Sequence, residues 1–191
     1  MGRYVVAWEE KQFDAMVADL FGYHAVQIGL TQFDFLRNNR IPSRTLCDVS
    51  TEGRLADALA SPDALPFDSG SVDLVLLPHA LEFAEHPHQV LREVERILVP
   101  EGQLIVAGFN PFSLWGARRL AQRRAGAFPW QGQYLSVRRL KDWLQLLSFD
   151  TRAGSFGCYA PPMRQQRWLD RFNFMDAAGD RWWPRSEERR V

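Results

Sequence analysis

Two nearly continuous apolar runs, VDLVLL (Val72–Leu77) and QLIVAGF (Gln103–Phe109), constrain this chain more than any other feature. Such runs suit strands covered on both faces, the condition of central parallel strands. Between them Pro87 stands where the first turn of a helix accepts proline. Val90, Leu91, Val94, Ile97 and Leu98 then form one apolar stripe, with Arg92, Glu93, Glu95 and Arg96 outside it. Pro100 and Gly102 are expected to end that helix. Strand, helix and strand in this order predict βαβ units, a mostly parallel central sheet and helices on both faces. Ligands of such sheets sit at the carboxyl ends of the strands, near the switch in strand order. That points to Gly29, Asp48 and the segment Leu77–Leu81.

The remaining elements are read in the same way. Phe13, Met16, Val17, Leu20 and Phe21 mark one face of a helix stopped at Gly22. Ala25–Leu30 and Thr45–Val49 predict short strands. Phe33, Phe35 and Leu36 suggest a helix ended before Pro42, and LPFDSGS (Leu65–Ser71) a loop. Val137–Leu147 reads as a helix with Leu140, Trp143, Leu144 and Leu147 inward. Phe149–Ser155 is expected to be a strand and Met163–Phe174 a helix.

At 191 residues the chain fits one domain, and 46% hydrophobic residues suffice for its core. The net charge is zero but unevenly spread. Met1–Phe109 holds 8 Lys/Arg against 16 Asp/Glu, and Asn110–Val191 holds 15 against 7. The basic half either meets an anionic partner or simply balances the acidic half. Arg118, Arg119, Arg123 and Arg124, among Phe112, Trp115, Phe128 and Trp130, leave the same choice between phosphate contacts and a solvated face. Cys47 and Cys158 lack metal-ligand spacing. In the run Glu85, His86, His88 the two histidines stand at i, i+2 and point apart on a helix, so no metal is expected. No apolar run reaches the roughly 18 residues of a membrane span. Glu9, Glu10, Lys11, Asp14 and Asp19 interrupt any signal-peptide core, so a cytoplasmic protein without membrane association is expected.

The stretch LPFDSGSVDLVLLPHALEFAEHPHQVLREVERILVPEGQLIVAGF resembles the core of class I S-adenosylmethionine-dependent methyltransferases of the type 11 group. The resemblance rests on a Leu-Pro-Phe loop, Ser-x-Asp leading into the family's fourth strand, and His-x-Leu-Glu after it. Leu-Arg-Glu-x-x-Arg-x-Leu, Pro-x-Gly and a fifth strand follow in order. FGYHAVQIGL, GFNPFSLWG, YLSVRRLKDWLQLLSF and RWWP look like a proteobacterial subgroup, extending the likeness to Pro184. It implies a Rossmann-like α/β domain over residues 1–184. The heptapeptide Arg185–Val191 looks like translated sequencing adapter, and is expected to be a non-native tail in place of the family's last strand. The sheet would then keep an unpaired edge.

The resemblance also implies S-adenosyl-L-methionine as cofactor and names its neighbours. The family's Asp-x-Gly-x-Gly-x-Gly turn matches Gln27–Phe33, where Gly29 alone of the glycines is kept; Thr31 and Phe33 replace the others. Gly29, Leu30 and Asp34 are the candidates on this segment. Asp48 matches the acidic residue that accepts ribose hydroxyls. Ser61 and Pro62 stand where the family often has Asp-Ala before Leu-Pro-Phe, and proline has no N–H to donate. Asp63, with Ala64 beside it, is the candidate substitute there. Pro78 and His79 would line the methionine end, and His79 is either a general base or a structural hydrogen-bonder. Glu82 supports the loop, and Asn110-Pro111-Phe112 follows the wrong strand for an amino-group methyltransferase motif. The implied function is methyl transfer to an acceptor, a small molecule or else a nucleic acid. The rival reading is a non-catalytic binding module on the same fold.

Overall fold

The computed structural model describes residues 2–49, 56–113, 132–155 and 157. The chain forms two units: Phe13–Gly108, and Met1–Gln12 together with Phe109–Val191.

The Phe13–Gly108 unit holds five strands: β1 (His24–Ile28), β2 (Ser43–Asp48), β3 (Ala58–Leu59), β4 (Val72–Pro78) and β5 (Leu98–Ala107). They form one sheet in the order β3-β2-β1-β4-β5, with every pairing parallel. The chain therefore winds outward from β1 to β3, then crosses back to continue on the other side of β1. The reversal falls between β1 and β4, which sets the ligand edge of such sheets there. This is the Rossmann-like architecture expected. β1 and β4 are buried almost throughout, as their apolar runs demand. Phe35, Leu36, Leu74 and Leu76 fill one core cluster with Phe13 and Val17.

Local chemistry sets the entry to the central strands. The Asp73 carboxylate accepts the N–H groups of Tyr23 at 2.7 Å and His24 at 2.9 Å, tying the start of β1 to β4. A Cβ on Gly22 would fall on the Asp73 side chain, so glycine is required there by close approach. Helix α1 spans Gly2–Val17. It stops earlier than the apolar stripe predicts, and Phe21 is exposed. The cause is Asn39, whose side-chain amide donates to the carbonyls of Val17 and Leu20 and closes the helix end.

The helix expected around Phe33–Leu36 does not form; the segment is a series of turns. The Asp34 carboxylate takes the Leu36 N–H, Gln27 Oε1 takes the Phe35 N–H, and Asn39 Oδ1 takes the Ile41 N–H. Side chains that satisfy the backbone locally compete with a helical ladder. Phe35 and Leu36 still go to the core, so their apolar spacing reported burial, not helix.

Beyond β4 come α2 (Ala80–Phe83) and α3 (Pro87–Ile97). Pro87 opens α3, and Val90, Leu91, Val94 and Ile97 are its buried stripe. Contrary to expectation, Pro100 and Gly102 do not end it. Leu98 is already extended and pairs with Val72 as the start of β5. Pro100–Gly102 is an irregularity inside β5, where pairing shifts from Val72↔Leu98 to Leu74↔Gln103. The loop Leu65–Ser71 is pinned to α3. Glu93 accepts the Leu65 N–H at 2.8 Å and pairs with Arg96, whose guanidinium donates to the carbonyls of Phe67 and Leu65 and to Ser69 Oγ.

In the other unit, helix α4 spans Val137–Leu146, with Leu140, Trp143, Leu144 and Leu147 less exposed than their neighbours. The strand expected at Phe149–Ser155 is absent. Phe149 closes α4 instead: its N–H donates to Leu144 O and the Ser148 N–H to Gln145 O, with Ser148 left-handed. Asp150–Ser155 is exposed and unpaired in any ladder. The arginines at 118–124, Trp115, Phe128, Trp130, Cys158, the helix expected at Met163–Phe174 and the tail Arg185–Val191 lie outside the described residues. Among the described residues no helix is long and apolar enough to cross a membrane, and no group of three His, Cys, Asp or Glu could hold a metal.

Candidate functional site

The carboxyl ends of β1, β2 and β4 bring five of the sequence candidates, Gly29, Leu30, Asp48, Pro78 and His79, to one edge. β1 leaves the sheet at Gly29 (φ +86°) and Leu30 (φ +47°), two successive left-handed residues. The Gly29 N–H still donates to Cys47 O at 2.8 Å, so the turn begins flush with the β2 ladder. A Cβ on Gly29 would lie 3.7 Å from both Ala80 Cβ and Pro78 O. The turn therefore faces the end of β4 without crowding, and glycine is needed there for its φ.

Gln27 holds this turn from within. Its side chain is fully buried. Nε2 donates to the carbonyls of Gly29 (3.1 Å), Leu30 (3.4 Å) and Phe33 (2.8 Å), and Oε1 accepts the Phe35 N–H (2.9 Å). Thr31, also fully buried, donates from Oγ1 to Asp48 Oδ2 at 2.7 Å. Asp48 Oδ1 takes the Val49 N–H at 2.8 Å. An ionised carboxylate has about four acceptor positions, so the donors among the described residues leave Asp48 capacity for more. Cys47 next to it is buried, and its thiol is pushed up to about 11 by desolvation, with Asp57 and Asp48 adding to the effect. It stays a neutral thiol at physiological pH.

The other candidates are placed as follows. Asp34 spends Oδ1 on the Leu36 N–H. Asp63 accepts the Ser61 hydroxyl, and the Ala64 N–H donates to Ser61 O, so the two close a tight turn of their own. That turn follows β3 directly, and Ala60 N–H donates to Asp48 O at its start. His79, at φ +57°, ends β4 and caps α2, its N–H bonded to Ala107 O. His79 Nδ1 lies 2.7 Å from Glu82 Oε2, both side chains being buried.

Comparison with known proteins matches this arrangement. Residues 31–106 fit the family model described as methyltransferase domain. Over this segment the chain is similar to methyltransferase domains. Uncharacterized protein YafS of Escherichia coli (strain K12) is 33% identical over 141 residues, covering 74% of this chain and 58% of that protein. This chain spans little more than half the length of the curated relatives it matches. Among solved structures, an S-adenosylmethionine dependent methyltransferase from Mesorhizobium loti superposes with a TM-score of 0.63 at 17% identity, over 90% of this chain and 92% of that one. A SAM-dependent methyltransferase from Thermotoga maritima, described as a possible histamine N-methyltransferase, gives 0.61 at 21% identity, over 79% and 80%. These likenesses establish the class I methyltransferase fold.

At this edge, sequence reasoning undervalued two residues. Gln27 and Thr31 stood out as losses from the glycine pattern. The structure makes them the braces of the turn and of Asp48. The signal was present: a glutamine inside the buried run AVQI must find partners for its whole amide. Phe33 raised the opposite concern, a ring at a close-approach position. It packs instead against the core cluster, 6.1 Å from the Phe35 ring.

Proposed function

We propose that this chain is an S-adenosyl-L-methionine-dependent methyltransferase acting on a small-molecule acceptor, and that it works in the cytoplasm. The observation that carries the proposal is Asp48: a carboxylate fixed by Thr31 and the Val49 N–H, with acceptor capacity left, beside the left-handed Gly29 turn. This donor and acceptor set fits the cofactor. Asp48 would accept ribose hydroxyls, Gly29 and Leu30 would present an unobstructed backbone, and Pro78 and His79 would bound the methionine end. Asp34, Asp63 and Ala64 belong to the same proposed rim. When bound, the cofactor supplies an electrophilic methyl group on a sulfonium sulfur.

The protein's part in the reaction is then mainly positional. A nucleophile held in line with the methyl group gains most of its rate from lost freedom already removed on binding. His79 is the group at this edge able to take up a proton from such a nucleophile. Glu82 holds its ring orientation through Nδ1.

Calorimetry with S-adenosylmethionine and S-adenosylhomocysteine tests the reading. Both are expected to bind at one site per chain. Asp48→Ala is expected to weaken binding about 10- to 150-fold, the equivalent of about 1.5–3 kcal/mol for hydrogen bonds to a charged group. Absence of binding by either ligand would refute the proposal and favour a non-catalytic module.

A further inference from the structure

The turn at the end of β1 keeps one glycine of three, yet its geometry is fully satisfied. We propose that Gln27, Thr31 and Phe33 form a self-braced cofactor turn, in which Gln27 and Thr31 are positioning residues that preset the turn and the Asp48 carboxylate before ligand arrives. The inference rests on the cofactor-binding reading of this edge and goes beyond it by assigning residues outside the glycine pattern.

Three observations carry it. First, positive φ in this stretch is confined to Gly29 and Leu30. Positions 31 and 33 therefore make no backbone demand for glycine, and side chains there cost no strain. Second, the chemistry of Gln27 is specific. Three carbonyl oxygens surround Nε2 and one N–H faces Oε1, which also fixes which end of the amide is which. A carboxylate at this position has acceptors only and would confront three carbonyl oxygens. The amide is thus required by the turn as built, and no ligand is needed to complete it. Third, the replacements at 31 and 33 are each used. Thr31 gives Asp48 a donor that glycine would not supply, and Phe33 turns its ring to the core. The changes are mutually compensating: the turn has exchanged glycine and a charged aspartate for a neutral, internally bonded one.

The test combines ligand affinity with amide exchange of residues 29–35 in ligand-free protein. Unmodified protein should show slow exchange at Phe35 and little further slowing on adding S-adenosylhomocysteine. Gln27→Glu should speed exchange through the turn and weaken S-adenosylhomocysteine at least about tenfold. Thr31→Val keeps shape but loses the hydroxyl; it should weaken binding about five- to tenfold. Thr31→Ser restores the donor and should restore most of the affinity, a rescue that packing alone does not predict. If Gln27→Glu does not fold, the Thr31 pair decides. Binding of S-adenosylhomocysteine by Gln27→Glu within twofold of the unmodified protein, with unchanged exchange, would overturn the role of Gln27. Equal affinities for the valine and serine variants would overturn that of Thr31. No binding by the unmodified protein would instead remove the cofactor reading, and with it the positioning role.

Discussion

Replacing Gly29 by alanine adds one methyl group to a turn whose φ is +86°. The new Cβ would meet Ala80 Cβ and Pro78 O at 3.7 Å, an ordinary contact distance, so the protein itself exerts no steric penalty. The cost is then conformational: about 1–2 kcal/mol for an L-residue held in the left-handed region. Alanine also restricts the unfolded chain, which returns about 0.4–1 kcal/mol. The net expectation is a loss of about 1 kcal/mol, or about 2–4 °C in melting temperature for a chain of this size. Asparagine tolerates the left-handed region better, so Gly29→Asn should cost less than Gly29→Ala, and β-branched Gly29→Val more. Urea unfolding followed by circular dichroism measures the series. Equal stability for all three variants would show that the turn is not held at this φ. A loss above about 4 kcal/mol for alanine would show crowding that the structure does not contain. The same variants carry a second readout. Since the methyl group meets no protein atom closely, any fall in S-adenosylhomocysteine affinity beyond the stability effect reports contact between ligand and turn. A tenfold fall is expected for Gly29→Ala if the cofactor crosses this backbone.

Gly22→Ala should be costlier than Gly29→Ala, because its Cβ would displace the Asp73 side chain that holds two backbone N–H groups. About 2–3 kcal/mol is expected by urea unfolding, and the penalty should fall sharply in an Asp73→Gly background. The Arg96 guanidinium, aided by the Leu65 N–H, outweighs burial and holds the Glu93 carboxyl below its usual range. A depressed carboxyl contributes stability that is complete above its unfolded value, about 4.3, and is lost as pH falls through the lower folded value. Glu93→Gln should therefore flatten the acid limb of the urea midpoint against pH. Cys47, raised to about 11, has the opposite sign: its contribution is complete below the unfolded thiol value and lost as pH rises through about 11. Thiol labelling of Cys47 at neutral pH should proceed only as fast as the protein opens, and a rapid labelling phase at this residue would contradict its burial.

Legibility in the sequence followed the physics of each segment. β4, α3 and β5 were readable because their signal is burial, and both the apolar runs and the α3 stripe emerge where expected. The turns at 31–40 were misread because their apolar residues are core residues at helix-like spacing, while the deciding partners are polar. Gln27 bonds groups from two to eight residues away, and Asn39 reaches back to Val17. Residue spacing cannot report a hydrogen bond that depends on the fold around it. Phe149 was misread for a related reason: an aromatic that suits a strand equally closes a helix when a left-handed residue precedes it. At the site, Gly29 and Asp48 were legible from position alone, whereas the Thr31–Asp48 bond joins two strands' ends and needed the β1–β2 register to be seen.

Asp73, Glu93 and Arg96 carry the family likeness away from the proposed site, whereas His79 belongs both to that likeness and to the site. Asp73, Glu93 and Arg96 stand within the motifs that resemble the family, and each bonds to backbone: strand starts and the Leu65–Ser71 loop. Their strength as signals follows from that work, because they set where β4 and α3 sit. The family match begins at residue 31, after Gln27 and Gly29. Residues 31–106 thus hold the scaffold together with Asp48 and His79, and the turn at Gly29, proposed to meet the cofactor, lies at the margin of the match. Counting glycines in that turn measures resemblance to other turns. What bears on ligand binding is whether each backbone group in it is satisfied and whether Asp48 is held with acceptors to spare. On both points the bonds run through Gln27 and Thr31, so the proposed activity would depend on whether a neutral brace serves the cofactor as well as a charged one.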